Sequence, residues 1–355
     1  MDAERWLEKL CAFDTRNPEG VEQPLLECCA EALRGFSPDE LVLETVPRER
    51  GGSPTGYVFA RFGRPKLMVN VHIDTVPVSG AWSGSPFELR RSGERLIGLG
   101  ASDTKGSAAA LLASLHQQSP RDFAVLISGD EEFGNDAMNA FLASRPLDEV
   151  ELCVVCEPTE GRFASSHRGV LSYEIVVRGP GGHSSLADER RKPALELAHV
   201  AVRLGEIAGQ HLDKGGLCLN IAELKTGAAF NVIPSSASLV VSARPAPGVA
   251  LSAVRAELES AIHAASEGAE VLVHTAHPSF AMRAPEALGA YLGGAPELAF
   301  VPFWTEAALF TERGVNAVVF GPGDIDQAHA ADESIDRKKL AEAQALFTRL
   351  LRARA

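Results

Sequence analysis

Cysteine is scarce in this sequence, with six residues in a chain of 355. Small domains that rely on disulfides use many closely spaced cysteines. The cysteines here, at positions 11, 28, 29, 153, 156 and 218, are too sparse to predict a disulfide framework. Cys153 and Cys156 form a C-x-x-C, but they lie in the apolar run 152–156 and no second pair accompanies them. We interpret them as buried strand residues.

Long hydrophobic runs are also missing from the sequence. No run approaches the ~18 apolar residues that a membrane-spanning helix needs. Residues 1–10 mix acidic and basic side chains into a helical pattern, whereas a signal peptide would carry an apolar core there. We therefore expect a cytoplasmic protein with no membrane partner.

Positive charge is in deficit, because 34 Lys and Arg stand against 47 Asp and Glu, for a formal net charge of −13. This balance argues against a nucleic-acid partner bound through a global positive field. The chain is 45% hydrophobic and 23% charged, which is typical of a folded globular protein and not of a disordered one.

The length of 355 residues allows one large or two medium domains and favours two, since single cores stop growing beyond roughly 250 to 300 residues. Residues 1–164 alternate helices with wholly apolar strands such as 123–128, which is typical of an α/β layered core with a central, mostly parallel sheet. From residue 165 a β-α-β, β-α-β order predicts a small α+β sandwich inserted at 165–273. Residues 274–355 return to the first core.

Polar residues interrupt the chain where predicted strands end. His72 and Asp74 close one strand, and residues two apart on a strand point the same way. Taken alone, this pair is better explained as a turn with a hydrogen-bonded histidine.

Asp103 precedes a helix of small residues, where a helix N-cap is an equally good explanation. The glycines around Asp103 nearly match a dinucleotide fingerprint, but Asp103 occupies the third glycine position, so phosphate binding is disfavoured.

Further acids and a second histidine repeat this pattern. Glu131 and Glu132 follow one apolar strand, Glu157 follows another, and His329 lies in a loop after a third. Because adjacent residues of an extended chain project to opposite sides, we expect different roles for Glu131 and Glu132. Open α/β sheets bind ligands at the carboxyl ends of their strands. Solvated loops explain each segment separately but do not predict that they converge.

Clustered carboxylates repel one another unless a cation lies between them, so this convergence predicts bound metal. A mixture of imidazoles and carboxylates suits zinc, cobalt or manganese, and the lack of thiolates argues against a purely structural zinc site. Five ligands fill two sites only if one is shared, and Asp103 is the natural bridge. The candidate ligands are His72, Asp103, Glu132, Glu157 and His329. Since the sequence has no Gly-x-Ser-x-Gly, Walker loop or His-Glu-x-x-His, the remaining hydrolytic option is a water activated by metal.

Eight segments carry a family resemblance: 71–77 (VHIDTVP), 100–106 (GASDTKG), 128–132 (SGDEE), 156–159 (CEPT), 181–185 (GGHSS), 230–234 (FNVIP), 303–307 (FWTEA) and 321–329 (GPGDIDQAH). In this order, along nearly the whole chain, they resemble the metal-dependent aminoacylase and carboxypeptidase family called M20, and within it the acetylornithine deacetylase group. The resemblance implies an enzyme of arginine biosynthesis that releases acetate from an N-acetyl-L-amino acid.

The resemblance also implies how the ligands divide between two metal ions, with zinc the first expectation. His72, Asp103 and Glu157 would hold one ion, and Asp103, Glu132 and His329 the other. Asp74 would fix the tautomer of His72. Glu131 would be the general base that takes a proton from the attacking water and returns it to the departing amine.

The inserted domain of such proteins acts as a lid and often forms a homodimer. By resemblance, His183 would stabilise the oxyanion, in its own or a neighbouring subunit. Asn231 and Arg244 would hold the α-carboxylate of the substrate. Glu306 and Gly323 are further candidates for substrate contact, although Glu306 could equally support His329.

Several substrates and one different class of function stay open. Acetylcitrulline hydrolysis, desuccinylation of succinyl-diaminopimelate and dipeptide cleavage all use the same chemistry as acetylornithine deacetylation. The contrasting hypothesis is a non-catalytic, metal-binding dimerisation module on the same scaffold. It would not explain why Glu131 stands beside a complete set of ligands.

Overall fold

The structure, a computed structural model, describes residues 1–211, 216–227 and 229–352. Its helices, in chain order, are α1 (Ala3–Cys11), α2 (Gln23–Arg34), α3 (Lys105–Gln117), α4 (Asp136–Ser144), α5 (Pro193–Gln210), α6 (Leu251–Ala265), α7 (Pro285–Leu292), α8 (Ala307–Glu312) and α9 (Arg337–Arg352). Among the described residues, no helix is both long and apolar enough to cross a membrane.

The strands up to residue 167 are β1 (Glu40–Val46), β2 (Thr55–Phe62), β3 (Leu67–His72), β4 (Arg90–Ser92), β5 (Arg95–Ile97), β6 (Phe123–Ser128), β7 (Leu152–Cys156) and β8 (Phe163–His167). The later strands are β9 (Val170–Arg178), β10 (Gly182–His183), β11 (Cys218–Lys225), β12 (Val232–Ile233), β13 (Ser236–Arg244), β14 (Ala269–His277), β15 (Phe280–Ala281), β16 (Leu298–Val301), β17 (Ala317–Val319) and β18 (Ser334–Asp336).

The chain forms two compact units. The first contains Met1–Ser165, Met282–Phe300 and Thr305–Ala355, and the second contains Ser166–Ala281 and Val301–Trp304. The division at residues 165 and 273, and the lid role of the inserted segment, stay predictions.

The first unit is built on a mixed sheet in the order β1-β2-β6-β3-β7-β17-β8. Its central neighbours β6, β3, β7 and β17 run parallel, while β1 and β2 are antiparallel additions at one side. Every residue of β3, β6 and β7 is buried, as expected for parallel strands covered on both faces. The predicted α/β fold class is confirmed.

Helix α3 shows how composition fits this layer. It consists largely of small residues, and all of its positions from Lys105 to Leu115 are buried. Small side chains allow it to pack closely between its neighbours α1 and α9. A helix apolar on all sides has to be buried on all sides, and α3 is.

The parallel strands place the predicted site residues at one edge. Because β3, β6 and β7 run in the same direction, their carboxyl ends lie side by side. His72 ends β3, the acids 130–132 follow β6, and Glu157 follows β7. This is the edge where open α/β sheets bind ligands.

The second unit has the order β9-α5-β11-β13-α6-β14, with an antiparallel sheet arranged β11-β13-β9-β14. Alternate residues of β9 and β13 are buried, and their apolar side chains form one core with α5 and α6. This is the predicted small α+β sandwich.

Several elements were not located from the sequence, and β11 and α4 illustrate the physical reasons. Strand β11 shows no alternation of apolar residues, because most of its side chains are exposed at the edge of the sheet. Helix α4 is short and begins after Asn135 at a φ of 63°. Its first turn is capped from outside the helix, since Asp130 Oδ2 accepts a hydrogen bond from the Asp136 N–H at 2.9 Å.

Candidate active site

His72 lies between two carboxylates, each facing a different ring nitrogen. Its Nε2 is 3.0 Å from Asp103 Oδ1, and its Nδ1 is 3.4 Å from Asp74 Oδ1. Asp103 reaches this point from the loop that leads into α3. A histidine arranged in this way can offer Nε2 to a metal while a carboxylate on the other side fixes the ring orientation.

Two groups of three side chains could each hold a metal ion. In each group the potential ligand atoms all lie within 4.8 Å of one another. Asp103 belongs to both groups, as the sequence predicted for a bridge. The groups are His72, Asp103 and Glu157, and Asp103, Glu132 and His329. We call them the first and second ligand clusters.

The second cluster is held together by one imidazole. His329 Nε2 lies 2.8 Å from Glu132 Oε1 and 3.4 Å from Asp103 Oδ2. His329 adopts a positive φ of 59°, and its side chain is half exposed. In contrast, the side chains of Asp103 and Glu132 are mostly covered. The second cluster is therefore more open to solvent than the first, whose members are all buried.

The side chains of both clusters fit a divalent cation. Among the described atoms, Glu157 Oε1 is buried without a hydrogen-bond partner, which is costly for a carboxylate oxygen unless a cation approaches it. The donor set of imidazoles and carboxylates suits zinc and its neighbours among the transition metals.

The titration behaviour of the two histidines reflects the surrounding acids. Burial opposes protonation of His72, but its contacts with Asp103 and Asp74 outweigh burial and raise the pKa of His72 well above its usual value. Hydrogen bonds to Asp103 and Glu132 raise the pKa of His329 to about 10. A cation bound here would displace these protons, because metal ligands must be deprotonated.

The glutamates of the site also have raised pKa values, chiefly because they are buried. Burial raises the pKa of Glu131 well above its usual value, although the charge of His72 opposes the shift. Burial followed by the charge of Glu131 does the same to the pKa of Glu157, and burial with Asp103 raises the pKa of Glu132. These acids therefore favour a nearby cation.

Asp74 connects His72 to the loop that carries the adjacent glutamates. Its Oδ1 accepts a hydrogen bond from the Glu131 N–H at 3.1 Å, and its Oδ2 accepts one from the Glu132 N–H at 3.0 Å. Asn17 Nδ2 donates to the same Oδ2 at 2.5 Å. Asp74 thus fixes the backbone of Glu131 and Glu132 as well as facing His72.

Asp130, the first acid of the run at 130–132, has a different environment. It is fully buried, and its Oδ1 lies 3.0 Å from the Nε of Arg48, whose guanidinium also pairs with buried Glu22. Asp130 is buried with a cation and supports the turn before α4.

Two residues near the clusters were not singled out from the sequence. Asn17 bonds Asp74, and Glu333 accepts hydrogen bonds from the loop that carries Asp103. Neither stands in a local pattern that could reveal it. The -Asn-Pro- at 17–18 is typical of an exposed turn, and Glu333 lies in the polar stretch 332–334 (Asp-Glu-Ser).

Two further candidates lie in the first unit beside the clusters. Glu306, just before α8, is buried; its Oε2 accepts a hydrogen bond from Ser128 Oγ at 3.1 Å, and burial raises its pKa to about 8. Gly323 packs so closely on the backbone that a Cβ there would lie 2.1 Å from the Ser102 carbonyl oxygen. That approach is a structural reason for glycine, and a substrate contact by either residue stays a prediction.

The remaining candidates lie in the second unit. His183 and Asn231 are brought together by the pairing of β10 with β12, and the Ser184 N–H donates to the Asn231 carbonyl at 3.0 Å. His183 is exposed, and its Nδ1 accepts a hydrogen bond from the Ser185 N–H. Arg244 ends β13 and is half buried. Their roles toward a substrate stay predictions.

The chain is similar to several known proteins over most of its length. The chain is 36% identical to an N-acetyl-L-citrulline deacetylase of Xanthomonas campestris, over 94% of this chain and 93% of that protein. It is 32% identical to an acetylornithine deacetylase of Myxococcus xanthus, over 81% and 80% of the two chains. An M20 family metallo-carboxypeptidase from Sulfolobus solfataricus has the same fold, with a TM-score of 0.75 at 17% identity over 99% of both chains.

A family model, described as peptidase family M20/M25/M40, matches residues 68–353. This range contains both ligand clusters, Asp74 and Glu131. The predicted family is confirmed: the chain belongs to peptidase family M20/M25/M40.

Proposed function

We propose that this protein hydrolyses the amide of an N-acetyl-L-amino acid, in a metal-dependent reaction that releases acetate. The observation that carries the proposal is the pair of ligand clusters that share Asp103, with Glu131 next to a member of the second cluster. The names of two similar relatives support the acyl group, since both are deacetylases of N-acetyl amino acids. A place in arginine biosynthesis is part of the same proposal.

The two clusters would hold two divalent ions, with zinc the first choice and cobalt or manganese as alternatives. When bound, such ions lower the pKa of a water toward ~7 and polarise the carbonyl that it attacks. Three carboxylates and two imidazoles supply the ligands, and no thiolate takes part. This composition is typical of a catalytic rather than a structural zinc site.

Glu131 is proposed to move the proton. It belongs to neither cluster, so its carboxylate is not needed as a metal ligand and can act as a base. Its backbone N–H is fixed by Asp74, which holds it beside the ligands. It would accept the proton of the attacking water and deliver it to the leaving nitrogen. Burial, which raises the pKa of Glu131, suits a group that has to hold a proton between these two transfers.

The identity of the amino acid is the finer part of the proposal. The greater identity and coverage of the acetylcitrulline relative favour a neutral ureido side chain, while acetylornithine remains the second candidate through the relatives of that name. These substrates differ by one charge at the end of the side chain. A buried site that hydrogen-bonds one of them therefore discriminates strongly against the other.

A homodimer formed through the second unit is also proposed. Strand β11 lies at the edge of the sheet and exposes Ile221 and Leu224, at 42% and 52% of their surface. Exposed apolar edge strands tend to pair with a strand of another chain, and proteins usually cover them against such pairing. A second copy of this chain would cover this edge.

Replacing Glu131 by alanine tests the proposed base. We expect kcat on an N-acetyl amino acid to fall by about 100 to 10,000-fold, while bound metal per chain stays at the wild-type value because Glu131 is in neither cluster. The matched control is Glu312→Ala, which removes an exposed acid of the same unit and should leave both values unchanged. Full activity of Glu131→Ala would exclude the assigned role.

A competition panel tests the substrate. Acetylcitrulline, acetylornithine, acetylmethionine and succinyl-diaminopimelate are compared by kcat/KM, which reports differential stabilisation of the transition state. We expect acetylcitrulline to exceed acetylmethionine by at least tenfold, and the succinyl substrate to be the poorest. Stoichiometric metal binding without turnover of any of the four would favour the non-catalytic binding module.

Light scattering coupled to size-exclusion chromatography tests the dimer. We expect a mass of twice 37.7 kDa for the wild type and a single-chain mass for Ile221→Lys/Leu224→Lys, because two charges would be buried in the interface. Leu272→Lys is the control, since Leu272 is exposed on the opposite edge strand β14. A monomeric wild type, or a dimeric double variant, contradicts pairing through β11.

A further inference from the structure

Glu333 is a buried acid, 2% exposed, that lies outside both ligand clusters. Its carboxylate accepts three hydrogen bonds from the backbone of one loop. Oε1 accepts the N–H groups of Ser102 at 2.9 Å and Asp103 at 3.0 Å, and Oε2 accepts the Gly100 N–H at 2.8 Å. Glu333 and Asp103 are 230 residues apart in the chain.

This loop needs such support because it belongs to no helix or strand. Gly100 has a φ of 79°, a conformation that other residues rarely adopt, and the chain turns here before α3 begins. Without Glu333 the three buried N–H groups would lose this hydrogen-bond acceptor, and a buried donor without a partner is unfavourable. A single carboxylate that binds all three therefore fixes the backbone of Asp103.

The segment that carries Glu333 also carries His329. Ser102 ties the same loop to this segment at two further points: its Oγ accepts the Asp324 N–H at 3.0 Å and donates to the Ser334 carbonyl at 3.2 Å. His329 lies between Asp324 and Ser334 in the chain. The loop of Asp103 and the loop of His329 are thus joined on both sides of His329.

We propose that Glu333 is a positioning residue that fixes Asp103 relative to His329 and thereby sets the affinity of both ligand clusters for divalent metal. The inference rests on the proposed function only for its kinetic consequence. Glu333 contacts backbone groups and is not proposed to touch metal or substrate. Its effect acts through the placement of the shared ligand, where small displacements matter for both ions.

Glutamine is an informative replacement because it preserves size but supplies only one acceptor oxygen. In Glu333→Gln, either Gly100 or the pair Ser102 and Asp103 would face an amide NH₂, which donates and cannot accept. The loop would then shift to avoid the clash between donors. Glu333→Asp preserves the charge but shortens the side chain, so that it no longer reaches all three N–H groups.

The experiment measures metal affinity directly, by competition of zinc or cobalt with a chelator of known affinity on the full-length protein. We expect the dissociation constant to rise about 10 to 100-fold in Glu333→Gln, the usual effect of removing a group that orients a metal ligand. At saturating metal we expect kcat to fall at least tenfold while KM for the preferred substrate changes less than threefold. Where Glu333→Gln yields no folded protein, Glu333→Asp is measured in its place.

A matched control separates positioning from general loss of stability. Asn316 Oδ1 likewise accepts two backbone N–H groups, of Arg283 and Ala284, elsewhere in the first unit. Asn316→Ala should lower the thermal unfolding midpoint about as much as Glu333→Gln does, and it should leave metal affinity within threefold of wild type. If its affinity falls as far as that of Glu333→Gln, the effect is one of stability and the positioning role is wrong.

Unchanged metal affinity in the folded Glu333 variants would also overturn the inference. Failure of the proposed function is distinguishable from both results. If the wild type binds metal but hydrolyses no N-acyl amino acid, the function is wrong, while the comparison of dissociation constants still decides the role of Glu333.

Discussion

The mutual repulsion of carboxylates at one edge of a sheet is the constraint on which this structure depends. Asp103, Glu131, Glu132 and Glu157 meet where the buried strands β3, β6 and β7 end. Buried acids of one sign are unfavourable unless cations balance them. Two imidazoles lie among these acids, and the ligand geometry and the unpaired oxygen of Glu157 fit divalent ions. The fold thus brings together groups that favour metal binding.

The acids around the site fall into two kinds that differ in what their oxygens contact. The members of the clusters face one another and the imidazoles. Asp74 and Glu333 also accept hydrogen bonds from backbone N–H groups of the loops that carry Glu132 and Asp103. Asp130 accepts one from Asp136, the first residue of α4. The loops of Glu132 and Asp103 therefore each have a buried acceptor, and Arg48 supplies the charge that makes burial of Asp130 tolerable. In this way irregular loops acquire the fixed backbone that a metal site needs.

Much of the fold and of the clusters was predictable because it depends on strong local patterns. Wholly apolar strands identified the buried parallel sheet, and acids or histidines directly after those strands identified the edge at which the two ligand clusters lie. The support around the clusters was not predictable. Glu333 and Asn17 act through contacts with residues far away in the chain, and in the sequence they resemble ordinary surface residues. Strand β11 was not located from the sequence because most of its side chains are exposed, so it lacks the alternation of apolar residues by which a strand is predicted.

The central claim is that five side chains hold two cations that share Asp103. Anomalous X-ray diffraction at the zinc absorption edge, from crystals of the zinc-loaded protein, tests it most directly. The account predicts two peaks, each about 2 Å from its ligand atoms, one beside His72 and Glu157 and the other beside Glu132 and His329, with Asp103 between them. Zinc peaks remote from these side chains, or none at this edge of the sheet, would contradict it.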